Sequence, residues 1–179
     1  MFYISKLCVM SGKDTVSEIP LSSGLNIVYG VSDSGKSLIV DCLDFMFGGD
    51  DTILQNPDLK IRAISITLDV DGKDLKIYRE LGKKEMIVSG EAEGFEKGSY
   101  TAGKGSKKTP PINRLWLQLM GINTDTDKPV KIYQYMSKAR QALTLRTFVH
   151  TFLIDETRMG GRNSILKSGE GYSKNIPVS

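Results

Sequence analysis

Eight consecutive residues constrain this chain more than any others. Gly30-Val31-Ser32-Asp33-Ser34-Gly35-Lys36-Ser37 satisfies the pattern G-x-x-x-x-G-K-[ST] in full. Glycines at both ends let the backbone fold into a concave nest whose amide hydrogens converge on phosphate oxygens. Lys36 supplies a point charge for the β- and γ-phosphates, and the Ser37 hydroxyl can ligate Mg²⁺. The binding set expected from the pattern is Gly30, Ser32, Asp33, Ser34, Gly35, Lys36, Ser37 and Leu38. Such a loop needs a strand leading in and a helix leading out. Leu25-Asn26-Ile27-Val28-Tyr29 reads as a short buried strand. From Lys36 to Phe47 the chain is apolar on nearly every side except Asp41 and Asp44, and Gly48-Gly49 stops it. That pattern is a buried helix with a glycine C-terminus. Its N-terminal dipole adds roughly half a positive charge to the cradle. The bland alternative is a glycine turn with a solvated lysine, which the flanking elements disfavour.

Around this loop the chain reads as α/β. Phe2 to Val9 and Thr15 to Ile19 are strands separated by a Gly12-Lys13-Asp14 turn. Between 61 and 81, Ile64, Ile66, Leu68 and Val70 alternate with Ser65, Thr67 and Asp69 before an Asp71-Gly72 turn. Leu75 and Ile77 resume the alternation, which makes a hairpin. Glu85 to Val88 is a further short strand, and residues 90–109 read as an exposed, mobile loop. Thr109 then caps a helix with Pro110 and Pro111 in its first turn, with Ile112, Leu115, Trp116 and Leu119 on one face and Gly121 at its end. A polar loop from Asn123 to Lys128 leads to a strand at Val130 to Tyr135. Thr144 opens a helix in which Leu145, Phe148, Val149, Phe152 and Leu153 recur at helical steps. There is no internal repeat.

Composition removes several classes. With 40% apolar and 25% charged residues among 179, the chain is globular rather than disordered. No run approaches the roughly 18 apolar residues of a membrane helix, and Met1-Phe2-Tyr3-Ile4-Ser5-Lys6 does not resemble a secretory leader. Two cysteines, Cys8 and Cys42, and one histidine, His150, make neither a zinc site nor a disulfide framework. A cytoplasmic setting is expected. The net charge of +3 from 24 basic and 21 acidic residues makes no case for nucleic acid and does not exclude it. A second cluster, Gly103-Lys104-Gly105-Ser106, lies in a polar stretch and reads as a linker. Lys97, Lys104, Lys107 and Lys108 offer a contact for an acidic partner or DNA backbone, but read first as solvated charge.

Phosphate binding alone does not hydrolyse ATP, which also needs a carboxylate for Mg²⁺ and a group that positions water. Phe152-Leu153-Ile154-Asp155-Glu156 has the look of an apolar strand ending in such a pair. Then Asp155 would hold Mg²⁺ and Glu156 would polarise water. The helical spacing of Leu145 to Leu153 argues instead that both carboxylates end a helix.

"SSGLNIVYGVSDSGKSLIVDCLDFMFGG" after a first hairpin resembles the opening of the ATPase heads of structural maintenance of chromosomes (SMC) proteins. Their double-strand-break-repair relatives of ABC type share it. Gly24 and Asn26 fit that family's Gly-x-Asn phrase, while Ser32-Asp33 replace its usual Asn-Gly. The 61–81 hairpin and "FLIDETRMGGRNSIL" are also similar to the N-terminal lobe of such heads. In that lobe a glutamine joins the Mg²⁺ shell. The resemblance places Glu156 near that position, a carboxylate in place of an amide, with Gln134 too far upstream. It thus implies Lys36 and Glu156 as catalytic groups and Ser37 and Glu156 as Mg²⁺ ligands.

A long coiled coil, a Leu-Ser-Gly-Gly signature and a convincing second carboxylate motif are missing; Ser168-Gly169-Glu170 only echoes the signature. The expected fold is therefore an N-terminal P-loop lobe over residues 1–179, with a mixed sheet carrying antiparallel hairpins, cut before the coil. Implied cofactors are ATP and Mg²⁺. Implied partners are a C-terminal lobe of the same protein and a second head, with DNA as a further candidate and no membrane. Two rivals stay open: a self-contained small P-loop NTPase or kinase using Asp155 and Glu156, and a non-catalytic interaction domain on a nucleotide-binding fold.

Overall fold

The computed structural model describes residues 1–11, 14–31, 34–52, 54–106, 108–122, 131–133 and 140–153. The chain forms two compact units, Met1–Thr124 and Asp125–Ser179. In the first, a six-stranded sheet runs β2-β1-β3-β4-β5-β6. Its strands are β1 (Phe2–Ser11), β2 (Asp14–Pro20), β3 (Ala63–Val70), β4 (Lys73–Glu80), β5 (Glu85–Gly90) and β6 (Gly98–Thr101). All its ladders are antiparallel. The parallel component of the expected mixed sheet is limited, among the described residues, to one isolated bridge between Thr101 and Pro111. The physical reason is connection length. Tight turns such as Asp71-Gly72 can only return the chain antiparallel, whereas parallel neighbours need a crossover of a dozen or more residues.

Register shows how alternation becomes a core. Leu7 faces Ile66, Ile66 faces Ile77 and Ile77 faces Val88. All four are buried, so this row crosses four strands without a polar interruption. The next row runs Val9, Ile64, Arg79, Met86 and Tyr100. Helix α1 (Lys36–Met46) packs on β3 and β4. It buries Cys42, Leu43, Phe45 and Met46 in its C-terminal half. Gly48, at φ 97°, ends it as expected. Helix α2 (Ile112–Leu119) buries Ile112, Leu115, Trp116 and Leu117, and the Trp116 ring meets Phe47 edge-on with centroids 5.2 Å apart.

Three expectations in this unit are corrected. Leu25–Tyr29 forms no strand. Leu25, Ile27 and Tyr29 are 86%, 73% and 89% exposed. A strand exists only through its neighbours, and the six strands of this sheet pair among themselves with β2 and β6 as edges. The 90–109 stretch is not all loop, because β6 pairs with β5 and inserts Tyr100 into the core. Thr109 does not cap α2, whose N-cap is Pro111 without a side-chain bond. The Thr109 amide instead donates to Ser106 Oγ.

The second unit holds a hairpin, β7 (Lys131–Tyr133) with β8 (Arg140–Ala142), where the sequence predicted a strand. The helix expected from Thr144 is broken. Thr144 and Thr147 form a reciprocal cap around a 3₁₀ turn at Leu145–Thr147. A four-residue helix α3 (Val149–Phe152) follows, and Leu153 is extended at φ −122°, ψ 110°. Three β-branched residues and two phenylalanines among 147–152 are weak helix formers, and a helix this short has little cooperativity. Gln134, Asp155, Glu156 and the 168–170 triplet lie outside the described residues.

Candidate phosphate-binding site

A turn built by Asn26 sets up the approach to the loop. Asn26 Oδ1 accepts from the Ser22 amide at 2.9 Å, and its Nδ2 donates to the carbonyls of Ser22 and Gly24 at 2.8 and 3.2 Å. Gly24 supplies the left-handed residue of that turn at φ 91°. The two residues of the Gly-x-Asn phrase therefore have a local folding task.

At the far end of the loop Gly35 is the N-cap of α1, at φ 83° and ψ 11°. An L-residue in that conformation costs about 1–2 kcal/mol, which explains the glycine. As a glycine, the N-cap brings no side chain to the first-turn amides of α1, which stand at the positive end of the helix dipole, where an anion is favoured. Gly30 is favoured more weakly, crowded only by the rotatable Ser34 hydroxyl. A Cβ there would lie 3.1 Å from Ser34 Oγ, tighter than side chains ordinarily pack. Lys36 closes the ring: Nζ donates to the carbonyls of Gly30 at 3.1 Å and Val31 at 2.6 Å, and lies 3.5 Å from Ser34 Oγ. Ser37 follows on the exposed side of the first turn, and Leu38 is half-buried.

The structure therefore brings Gly30, Ser34, Gly35, Lys36, Ser37 and Leu38 into one short arc. Ser32 and Asp33, of the same expected set, lie outside the described residues, as does Glu156. The donor set fits a Mg²⁺-bound polyphosphate: an ammonium held by the loop's own carbonyls, a helix start with a glycine N-cap and a hydroxyl one residue later. Lys36 would hold the phosphates and Ser37 the cation. Among the described residues no cluster of three His, Cys, Asp or Glu side chains could hold a metal by itself. A Mg²⁺ here would share its ligands between Ser37, the phosphates and water.

Further along α1 the environment turns apolar. Burial, with Asp44 adding to it, raises the Asp41 carboxyl above its usual range. Burial and Asp41 push the Cys42 thiol up to about 12, so it is inert as a nucleophile. A separate cleft of about 320 Å³ lies by the β3–β4 turn, lined in part by Val70, Phe95 and Leu119. It shares no residue with the loop, and its rim charges pair with one another, the Met1 ammonium with Asp71 and Lys73 with Glu93.

Comparison with known families now decides the class. A family model described as an AAA domain matches residues 9–158, most of the chain and all of the loop. The chain belongs to the AAA domain family. It is therefore an ATPase-type P-loop domain, which accounts for the left-handed Gly35 and the ring-closing lysine together. No curated protein and no solved structure matches it.

One buried polar residue, at the end of α1 away from the loop, was missed in the sequence. Arg79 is only 4% exposed, and its guanidinium reaches the last turn of α1. The signal was present: Leu75, Ile77 and Arg79 share one parity on β4, so a cation occupies a core position.

Proposed function

We propose that this chain is the ATP-binding N-terminal lobe of an SMC-like ABC ATPase. In the intact protein, ATP binding and hydrolysis would serve DNA repair, recombination or defence. Membership of the AAA domain family supports the nucleotide. One observation supports the finer reading: the run from Leu25 to Tyr29, which leads directly into the phosphate loop, is apolar at four of its five positions and lies exposed, with no strand partner among the described residues. A run of that kind belongs in the middle of a sheet covered on both sides. The described strands offer it no neighbour, so a second lobe of the same protein is the natural source of one. This favours a half-head over a self-contained NTPase.

In this reading Lys36 and the α1 amides bind and orient the β- and γ-phosphates, and Ser37 orients Mg²⁺. The bound nucleotide would supply the β–γ phosphoanhydride bond, whose hydrolysis by water to ADP and phosphate releases the free energy. Glu156 is proposed for the cation shell, and a second head would complete the site across the nucleotide. The chain alone then binds Mg-ATP weakly and turns it over negligibly.

Steady-state phosphate release by the purified chain tests this. The expected result is no turnover above that of Lys36→Ala. Sustained turnover that disappears in Lys36→Ala would contradict the half-head and favour a self-contained enzyme.

A further inference from the structure

Helix α1 is held at one end. Its buried residues, Cys42, Leu43, Phe45 and Met46, all lie in the C-terminal half. Lys36 to Asp41 are exposed or half-buried, and the loop before them is exposed. About 15 Å separates the two ends, at 1.5 Å per residue. Whatever grips the C-terminal turn therefore sets where the phosphate end points.

That grip centres on Arg79. Nη1 donates to the carbonyls of Phe45 at 2.6 Å and Gly49 at 2.8 Å, and Nε donates to the Lys83 carbonyl at 3.1 Å. The guanidinium carbon lies 3.8 Å from the centre of the Phe45 ring. One side chain thus ties the end of α1 to the turn after β4. The Asp51 carboxylate adds a second tie by accepting from the Gly82 amide. Burial pulls the guanidinium below its usual range, while Asp51, Asp44 and Asp50 oppose that pull, so the cation is kept. A buried cation is a poor device for stability alone, because an apolar side chain of similar volume often serves as well. Its rigid fork, by contrast, fixes the direction of three carbonyls at once, which neither methionine nor lysine can do.

We propose that Arg79 is the positioning residue of the phosphate site, fixing through the last turn of α1 the direction in which Lys36 and Ser37 are presented. This rests on the phosphate reading of the loop and adds a residue on β4 to it.

The test compares the full chain with Arg79→Met and Arg79→Lys by two readouts. Amide hydrogen exchange is measured without nucleotide, and Mg-ATP affinity by calorimetric titration. In Arg79→Met, exchange at residues 36–40 is expected to rise together with that at 45–49. The Kd for Mg-ATP should weaken about tenfold, the scale of one lost charge-assisted hydrogen bond, with Arg79→Lys in between. A merely structural role would lower the melting temperature and raise exchange at 45–49 only, leaving residues 36–40 and the Kd at their wild-type values; that result overturns the proposal. If Arg79→Met does not fold, Arg79→Lys carries both readouts with the same expected direction and the same overturning result. If the wild-type chain binds no Mg-ATP, the phosphate reading fails, while exchange at 36–40 still decides whether Arg79 governs the loop end.

Discussion

Replacing Gly35 by alanine keeps every functional group of the loop and changes only what its backbone can adopt. At φ 83° the substitution is strained although a Cβ there would meet no atom within 4 Å. Stability should therefore fall by about 1–2 kcal/mol, read from the urea midpoint. An unchanged midpoint would mean that the left-handed N-cap is not enforced. Asp41 gives a test by pH. Its folded-state value lies above the ordinary 3.8, so the folded chain holds this proton more tightly than the unfolded one. The stabilisation is complete below the unfolded value and lost as pH rises through the folded one. At neutral pH the ionised Asp41 thus opposes folding, and Asp41→Asn should raise the melting temperature there. That advantage should shrink as the pH is lowered toward 4, where the native aspartate regains its proton. An advantage independent of pH would remove burial of the charge as the cause.

Between elements, the contrast is between Ile27 and Ile66. Both are isoleucines in apolar runs, yet Ile27 is 73% exposed and Ile66 fully buried in β3. Ile66→Ala should cost about 2–5 kcal/mol, whereas Ile27→Ser should stay within about 0.5 kcal/mol. Denaturant titration of both variants checks this, and a large loss at Ile27 would mean that the run is packed. The same contrast shows what a sequence can and cannot reveal. The β3–β4 hairpin was legible because Ile64, Ile66 and Leu68 and then Leu75 and Ile77 record burial directly in their alternation. The α1 boundaries were legible because Gly35 and Gly48 are backbone requirements. The run at 25–29 misled, because propensity describes what a segment can do and pairing depends on which neighbours are present. β6 was hidden because Gly98-Ser99-Tyr100-Thr101 owes its place to one buried tyrosine and to pairing with β5. Arg79 was hidden because a basic residue is assigned to solvent unless its parity on the strand is followed.

Taken as a whole molecule, the chain combines an antiparallel unit whose core is complete with an approach to the phosphate loop that is not. Leu7, Ile66, Ile77 and Val88 need nothing further, whereas Leu25 to Val31 hold apolar surface toward water. Exposed patches of that kind mark contact surfaces. The proposed nucleotide site sits beside this exposed run, where the proposed joining of lobes would act. Its binding competence, unlike hydrolysis, depends on the chain's own loop and can be measured without a partner. Thermal unfolding with and without Mg-ATP, in wild type and in Lys36→Ala, is the most direct measurement. At ten times the Kd, binding to the native state stabilises it by about 1.4 kcal/mol, which raises the melting temperature by about 3–6 °C for a chain of this size. The account predicts that rise in wild type and none in Lys36→Ala. Equal curves with and without millimolar Mg-ATP in the wild-type chain would contradict it.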